Sequence, residues 1–432
     1  MAGARAPGID QLRLLIVMSA AFPGRSPIAN HMQRMARGLR ECGHSVQIVA
    51  PRNPNDGIAV RGEDKYGTPY RSFNTPPKPR FFPFYPHWSR AIRPGLSAAV
   101  ADLVESERPH AMILIGETWY AFDGLRRFCQ ARGIRVLGYP IEWFPPYLAS
   151  VAGLSWFDQW MQRHVTYPNC DGIVGISRFW EGFASRRGIP ATVVPSFSKF
   201  GDDEIPQCTP EVHQKFRILF VGRWVRRELP ATVFSALEIA LERGVDLELV
   251  VLGSVGKSAA LSQVLEERPA LRRLAALPRV RERIRFLGFV PDEELIRQMH
   301  SADAFVLLRR QNRETQALFP TRLPEFLATG KPVIVSDAGD LSLYLKHGQS
   351  ALVIPPGDHP QELADAIIFL ATHPKEAQSI GRGGRVALEE SFSQKKLAER
   401  LAGFIRTLLP SKRDAAGPPG QQAEACGKAS IC

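Results

Sequence analysis

Short runs of Val, Ile and Leu alternate with amphipathic stretches of helical period along almost the whole chain. The apolar runs are continuous, as is typical of strands covered on both faces in a parallel sheet. The predicted strands are 12–18, 46–50, 111–115, 134–138 and 172–176 in the first half, and 217–221, 247–252, 284–287, 304–308, 332–335 and 351–354 in the second. Two such blocks predict an α/β protein with two doubly wound domains.

The two blocks are separated by a polar stretch at 195–216 that contains Pro206 and Pro210 and has no apolar period. We therefore predict a first domain at 1–200 and a second at 201–393. A helix is predicted at about 394–409. The tail at 411–432 is rich in Gly, Pro, Gln, Ala and Lys, which predicts disorder.

The net charge of +12 suits a protein that handles anions, such as nucleotide diphosphates, nucleic acid or an acidic membrane surface. Seven arginines lie between 268 and 285, which fits either a solvated surface or docking to anionic lipid or a partner. Aromatic stacking residues are absent among them, and this argues against nucleic acid as a partner.

The chain has no apolar run near the ~20 residues that span a bilayer. Residues 1–10 lack the basic-then-apolar layout of a secretory signal, so we expect a cytoplasmic protein. The six cysteines are scattered, which predicts reduced thiols and neither a disulfide framework nor a zinc site. The acidic residues at 202–204 lie in the interdomain stretch and fit a solvated loop better than a metal site.

The loop after the first predicted strand, residues 19–28, is a candidate ligand loop. Gly24 would let the backbone approach a ligand, and the helix predicted at 28–42, capped by Ser26, would direct its positive end into the loop. The loop is neither a G-x-G-x-x-G fingerprint nor a P-loop. Loops of this kind follow the first strand of many Rossmann-like domains, so this loop does not by itself identify a ligand.

In the second domain, the first strand runs into Gly222-Arg223, followed by Arg226 and Arg227. Guanidinium groups at the end of a central strand are well placed to bind a diphosphate in fork geometry. A surface ion-pair cluster is the alternative.

The segment at 319–336 predicts a short helix that ends at Gly330, followed by a buried strand. Phe319, Thr321 and Arg322 lie at or just before the helix start, where N–H groups and a guanidinium can meet a phosphate. Glu325 is at i+3 from Arg322 and could accept hydrogen bonds from ribose hydroxyls. The alternative is a surface Arg322–Glu325 pair.

Several further segments occur in a fixed order along the chain: Gly-His-Ser-Val at 43–46, Cys-Asp-Gly-Ile-Val-Gly-Ile-Ser at 170–177, Ile-Leu-Phe-Val-Gly-Arg at 218–223, Phe-Leu-Gly-Phe-Val-Pro at 286–291, Lys-Pro-Val at 331–333, and Gly339. Together they resemble the retaining glycosyltransferases of family 4, and the likeness runs from residue 12 to about 408. The resemblance implies the GT-B fold of two facing Rossmann-like domains, with the last helix crossing back onto the first domain. It also implies a nucleotide diphosphate sugar as donor, and no cofactor or metal.

Carried over onto this sequence, the resemblance implies that Arg223 and either Arg226 or Arg227 bind the donor diphosphate. It also implies that Glu325 binds the ribose. The nucleobase would be bordered by three residues of the 286–291 segment: Gly288, Phe289 and Val290.

The sequence departs from the family at one motif. The family has two glutamates separated by seven residues, and here the first position is Ala317, with Glu314 three residues too early. Family members with a Phe-Pro-Ser/Thr-Lys variant are more similar, with Arg322 standing where they have lysine. A catalytically inactive subunit that only binds the donor is therefore one alternative. Another GT-B enzyme, such as a nucleotide-sugar 2-epimerase, is a second.

The mechanism that the resemblance implies is front-face transfer with retention, in which arginines such as Arg223 and Arg322 stabilise the leaving phosphate. From the first domain, Glu142 follows a strand end and is the better candidate to face the cleft, while His31 could face it or simply pack. The aromatic segment at 80–88 could be a lipid-facing loop, an acceptor groove or ordinary packing. A saccharide or lipid-linked acceptor at the inner face of an anionic membrane is the corresponding expectation.

Overall fold

The computed structural model describes residues 10–24, 26–52, 60–75, 85–116, 119–143, 157–197, 211–222, 228–253, 272–274 and 276–410; for 85–92 and 120 it describes the backbone alone. The chain divides into two compact units. The first unit is Met1–Pro195 with Lys395–Cys432, and the second unit is Ser196–Gln394. The sequence predicted this division five residues later, between 200 and 201.

The first unit is built on a sheet of eight strands. They are β1 (Arg13–Met18), β2 (Ser45–Arg52), β3 (Arg61–Glu63), β4 (Pro69–Asn74), β5 (Ala111–Ile115), β6 (Arg135–Tyr139), β7 (Gly172–Gly175) and β8 (Ala191–Val193). Their order is β3-β4-β2-β1-β5-β6-β7-β8, and every pair is parallel except β3 with β4. The central strand β1 is almost wholly buried, as its unbroken apolar sequence requires.

Helices connect these strands. They are α1 (Pro27–Glu41), α2 (Tyr85–Glu107), α3 (Trp119–Gln130) and α4 (Arg178–Ser185), with a π-helix at Gln162–Thr166 and a 3₁₀ turn at Tyr167–Asn169. The start of α1 is fixed by Ser26, whose hydroxyl oxygen accepts the Ala29 N–H at 3.1 Å, and by Pro27 in the first turn. The sequence therefore predicted this helix with its cap.

The second unit has a sheet of six parallel strands. They are β9 (Phe216–Val221), β10 (Leu247–Leu252), β11 (Ile284–Gly288), β12 (Ala304–Leu307), β13 (Val333–Ser336) and β14 (Leu352–Ile354). Its helices are α5 (Pro230–Glu242), α6 (Pro278–Arg281), α7 (Asp292–Ser301), α8 (Arg313–Ala317), α9 (Leu323–Ala328), α10 (Leu341–Tyr344), α11 (Pro360–Thr372) and α12 (Pro374–Ser391).

Each sheet reverses its strand order once. In the first unit β1 lies between β2 and β5, and in the second unit β9 lies between β10 and β12. At such a reversal, the connections leave the two neighbouring strands in opposite directions, so a crevice opens at their carboxyl ends. This topology gives each unit one preferred place for a ligand.

The last helix, α13 (Gln394–Leu408), belongs to the first unit although it follows the second in sequence. Its apolar face is buried, and a Cβ on Gly172 of β7 would lie 2.9 Å from Leu408 and 3.0 Å from Phe404. The Arg400 and Arg406 side chains donate to the backbone carbonyls of Val193 and Asp10. Packing and hydrogen bonds thus fasten α13 to the first sheet.

All eleven predicted strands are present, with bounds that differ by at most two residues. The sequence missed β3, β4 and β8. The strands β3 and β8 have three residues each, too few to give an apolar run, and β4 lies near the sheet edge, where polar and apolar residues mix. The antiparallel β3–β4 pair also departs from the all-parallel sheet that we predicted.

Candidate functional site

The carboxyl edge of the second sheet, where β9, β10 and β11 end, is formed by three glycines. The Gly222 N–H donates to the Leu252 carbonyl at 2.9 Å, and the Gly253 N–H donates to the Gly288 carbonyl at 2.8 Å. Gly253 has φ 120°, and a Cβ there would lie only 2.0 Å from the Gly222 oxygen. This glycine edge (Gly222, Gly253 and Gly288) therefore presents backbone to a ligand.

A partly buried ion pair joins the two sides of the strand reversal. Arg309, just after β12, pairs with Glu228, which precedes α5 on the β9 side, and their side chains are only 14% and 12% exposed. The Arg309 backbone N–H also donates to the Ser336 hydroxyl of β13 at 2.9 Å. The loops after β9, β12 and β13 are therefore held together around the crevice.

The loop after β12 is also tied to the loop after β13. Asn312 caps α8 by accepting the Thr315 N–H at 2.8 Å, and Gln311 accepts the Gly339 N–H at 2.9 Å. Gly339 has φ 64°, and a Cβ there would lie 3.0 Å from the Thr315 carbonyl oxygen. Glycine at 339 is thus explained by this close backbone approach.

The Arg322–Glu325 pair, which the sequence offered as the alternative to phosphate and ribose contacts, is present, with 2.6 Å between Arg322 Nη1 and Glu325 Oε2. The ribose contact of Glu325 stays a prediction. The Glu325 side chain is 8% exposed and the Arg322 side chain is 39% exposed. A pair with one member buried is not an ordinary surface pair. The buried carboxylate holds a guanidinium that still reaches solvent at the carboxyl edge of the sheet.

The Phe319 side chain does not face a ligand. It is buried and packs against Tyr344 and Phe392, with ring centroids 5.7 and 5.5 Å away. The ring is therefore not available for the expected donor contact, which stays a prediction only for the Phe319 backbone.

Ala317 is also fully buried, so a larger side chain there would disturb the packing. Thr321 is half-buried next to Arg322.

The residues expected to border a nucleobase lie at the end of β11. Gly288 has φ 69°, Val290 is half-buried, and the Phe289 ring is 82% exposed. An exposed aromatic ring beside a glycine turn is a surface on which a base can stack. The register of β10 with β11 shifts between Val251 and Leu252, next to this turn.

The remaining predicted donor residues divide into two groups. Arg223 and Arg227, with Arg226, lie outside the described residues. Gly24 is exposed in the first unit, and a Cβ there would lie 2.6 Å from the Ala21 carbonyl oxygen, so the fold of the loop itself requires glycine. Its donor contact stays a prediction. Most of the aromatic segment at 80–88 also lies outside the described residues.

The first unit has a cleft at the carboxyl edge of its sheet, beside the strand reversal between β1 and β5. Glu142, which follows β6, is half-buried in its wall. The lining residues are Ile28, Gly116, Ile141, Glu142, Gln159, Gln162, Arg163, Tyr167 and Trp180. Glu142 thus lies just after a strand end and lines a cleft of the first unit, while its catalytic role stays a prediction.

His31 packs inside the first unit and does not line this cleft. Its Nε2 lies 2.7 Å from the Tyr139 hydroxyl, which donates to the Val194 carbonyl at 3.1 Å. Burial lowers the pKa of His31 to about 4 and raises the pKa of Tyr139. Both side chains are therefore neutral at pH 7, and of the two readings of His31 the packing role is the one observed.

Three of the seven arginines between 268 and 285 form ion pairs at the surface. The pairs are Arg273–Glu238, Arg283–Asp246 and Arg285–Glu211. This arrangement favours the reading of a solvated, ion-paired surface. Within the described ranges, no cluster of three or more potential metal ligands occurs and no helix is long and apolar enough to cross a membrane.

Sequence reasoning missed several residues of these sites. Glu228 and Arg309 join through tertiary contact across 81 positions, which no local pattern reveals. Gly253 had a usable signal, because it directly follows an apolar run that ends a central strand. Arg163 lies in a π-helix, whose register the 3.6-residue pattern does not describe.

Family models match most of the chain. The model described as Glycosyl transferases group 1 matches residues 202–387, and the Glycosyl transferase 4-like domain matches 28–196. Amylovoran biosynthesis glycosyltransferase AmsK of Erwinia amylovora is 24% identical over 55% of this chain and 56% of its own length. A phosphatidyl-myo-inositol mannosyltransferase of Mycobacterium leprae is 29% identical over 83% of this chain and 87% of its own length. The chain spans about half the length of the first curated relatives it matches: 56%, 48% and 49%.

Several solved structures share the fold of this chain. Sucrose-phosphate synthase from Thermosynechococcus elongatus has a TM-score of 0.68 at 18% identity, covering 92% of this chain and 99% of its own. Anabaena HepE in complex with UDP-glucose has a TM-score of 0.66 at 14% identity, covering 92% and 100%. Identities this low establish the shared fold alone.

The glycine edge generates a prediction with a matched control in the same unit. Gly253→Ala places a methyl group against the Gly222 carbonyl, whereas Gly357→Ala, at nearly the same φ (121° against 120°), meets only the His359 side chain at 3.7 Å. Both changes add similar backbone strain, of about 1–2 kcal/mol or more, so the excess effect of Gly253→Ala reports the clash. We expect a clearly larger fall in melting temperature for Gly253→Ala, measured by differential scanning calorimetry. Equal falls would contradict the close approach of the two glycines.

Proposed function

The chain belongs to the family 4 type of GT-B glycosyltransferases, the glycosyl transferases of group 1, and we propose that it moves a sugar from a nucleotide diphosphate sugar to an acceptor with retention at the anomeric carbon. The acceptor is a saccharide or a lipid-linked saccharide. The relative AmsK, whose name places it in amylovoran biosynthesis, supports a role in polysaccharide or glycan assembly.

The observation that carries the donor assignment is Arg322, held by the buried Glu325 carboxylate beside the crevice of the second sheet. A cation in this position can bind a diphosphate, and the glycine edge leaves room for the phosphates to approach backbone. Phe289 offers an exposed ring for the base. The structural neighbour HepE, which was solved with UDP-glucose, supports a nucleotide sugar as the ligand class.

Catalysis in this proposal is electrostatic. As the bond to the sugar breaks, negative charge develops on the diphosphate, and Arg322 with Arg223 and Arg227 stabilises it without a metal ion. The leaving phosphate accepts the acceptor's proton, so no protein nucleophile is needed. Glu142 lines the cleft of the first unit and can accept a hydrogen bond from an acceptor hydroxyl.

Ala317 supports one competing function, a subunit that binds the donor without transferring sugar. The family's first motif glutamate is missing there, and the position is fully buried. Such a subunit would bind a nucleotide diphosphate sugar and leave it intact. Incubation with a panel of nucleotide sugars and a saccharide acceptor separates the two functions, because only an enzyme releases nucleoside diphosphate. The coupling constant of the product's anomeric proton reports retention.

The binding prediction concerns Arg322. Charged hydrogen bonds contribute about 1.5–3 kcal/mol, so Arg322→Ala should weaken nucleoside diphosphate binding by roughly tenfold or more, measured by titration calorimetry. Arg297→Ala is the matched control, since Arg297 forms an i, i+3 pair with Glu294 in α7. The double variant Arg322→Ala with Glu325→Gln removes the unpaired buried carboxylate and should remain weak. Wild-type affinity in both Arg322 variants would contradict the phosphate role.

We also propose reversible association with an anionic membrane surface, where a lipid-linked acceptor would be reached. The net charge of +12 supports it, because basic residues near an anionic leaflet contribute about 1 kcal/mol each. Sedimentation with anionic and neutral vesicles tests this. We expect binding to anionic vesicles alone, weakening as salt screens the charges. Equal, negligible binding to both would leave the charge without this role.

A further inference from the structure

Arg163 is a buried cation in the wall of the first unit's cleft. It lies in the π-helix Gln162–Thr166, and the residue is only 5% exposed. π-helical segments are rare and occur frequently at functional sites. The cleft lies beside the reversal of the first sheet, where a doubly wound domain places a ligand.

The charge of Arg163 has no carboxylate partner among the described residues. Its Nη1 donates to the amide oxygen of Gln159 at 3.3 Å, and its guanidinium lies 4.0 Å from the centre of the Trp143 ring. Neither contact supplies a negative charge. The buried Arg126 of the same unit differs, because it is paired with Asp123 at 2.7 Å.

A buried, unpaired charge is unfavourable, and proteins normally compensate it with an ion pair. Burial lowers the pKa of Arg163 to about 10, which still leaves the guanidinium protonated at pH 7. The cation is therefore permanent, and an anion entering the cleft would complete its pairing. The contact with the Trp143 ring helps to hold the guanidinium in place, and a guanidinium can bind an oxyanion through a forked contact.

Two further polar side chains of the wall, Gln162 and Tyr167, are held in place by hydrogen bonds. The Gln162 amide donates to the Gly116 carbonyl and accepts from the Tyr167 hydroxyl at 2.9 Å. Glu142 stands in the same wall and would repel a bare anion, but it can accept hydrogen bonds from hydroxyl groups. A cation and a hydroxyl acceptor in one cleft fit a ligand that carries both an oxyanion and hydroxyls.

We propose that this cleft is a subsite for an acidic, hydroxylated group of the acceptor, a sugar phosphate or a sugar carboxylate, with Arg163 binding the oxyanion and Glu142 a hydroxyl. The inference rests on the proposed function only where it identifies the ligand as the sugar acceptor. The subsite itself is a property of the first unit and is testable without donor.

The probes are glucuronate and glucose 6-phosphate, with glucose as their uncharged match, titrated calorimetrically into the full chain without nucleotide. The variants are Arg163→Gln, Arg163→Lys and, as control, Arg186→Gln, an exposed arginine that follows α4 in the same unit. We expect at least one acidic probe to bind tenfold or more tighter than glucose. That preference should disappear in Arg163→Gln, fall in Arg163→Lys and persist in Arg186→Gln. The phosphate and carboxylate arms show which oxyanion fits.

The inference is overturned if neither acidic probe exceeds glucose, or if the preference survives in the Arg163 variants, which would place the anion elsewhere. Arg163→Lys keeps the positive charge and so guards against a misfolded Arg163→Gln protein. Failure of the proposed function looks different: anion binding would still depend on Arg163, but no nucleotide sugar would be consumed. Conversely, sugar transfer without Arg163-dependent anion binding would contradict this inference and leave the proposed function intact.

Discussion

The reversal of strand order at β9 is the constraint on which the second unit's site depends. Because β10 and β12 flank β9 on opposite sides, the connections diverge and leave a crevice at the carboxyl ends. The Arg309–Glu228 pair holds the two sides of that crevice, and the contact between Gly222 and Gly253 keeps its floor free of side chains. A phosphate group needs both features: space against backbone and fixed walls.

Both units place a cation at the edge where their sheets open, but they hold it differently. In the second unit Arg322 is oriented by a buried carboxylate, so its charge is partly compensated while its side chain reaches solvent. In the first unit Arg163 is almost fully buried and held by an amide and an indole ring. The first arrangement suits a ligand that must leave after turnover, such as a nucleotide. The second suits an anion that completes the charge balance of a preformed cleft.

The fold was largely predictable, because buried parallel strands have continuous apolar sequences. The start of α1 was predictable because Ser26 and Pro27, which cap and begin the helix, are adjacent to it in sequence. The Arg322–Glu325 pair was predictable for the same reason, since i+3 spacing on a helix is local. The burial of the Phe319 ring was not predictable, because its partners, Tyr344 and Phe392, are distant in sequence. Arg309, Glu228 and Arg163 likewise owe their roles to tertiary burial, which periodicity does not encode.

Hydrogen–deuterium exchange of the full chain with and without a nucleoside diphosphate tests the central claim most directly. The claim is that the donor binds at the carboxyl edge of the second sheet. The account predicts slower exchange in peptides covering Gly222, Gly253 and Gly288 and in the segment at 318–325, with no change at the opposite edge, where β9 and β12 begin. Protection confined to the first unit, or spread equally over both edges of the second sheet, would contradict it.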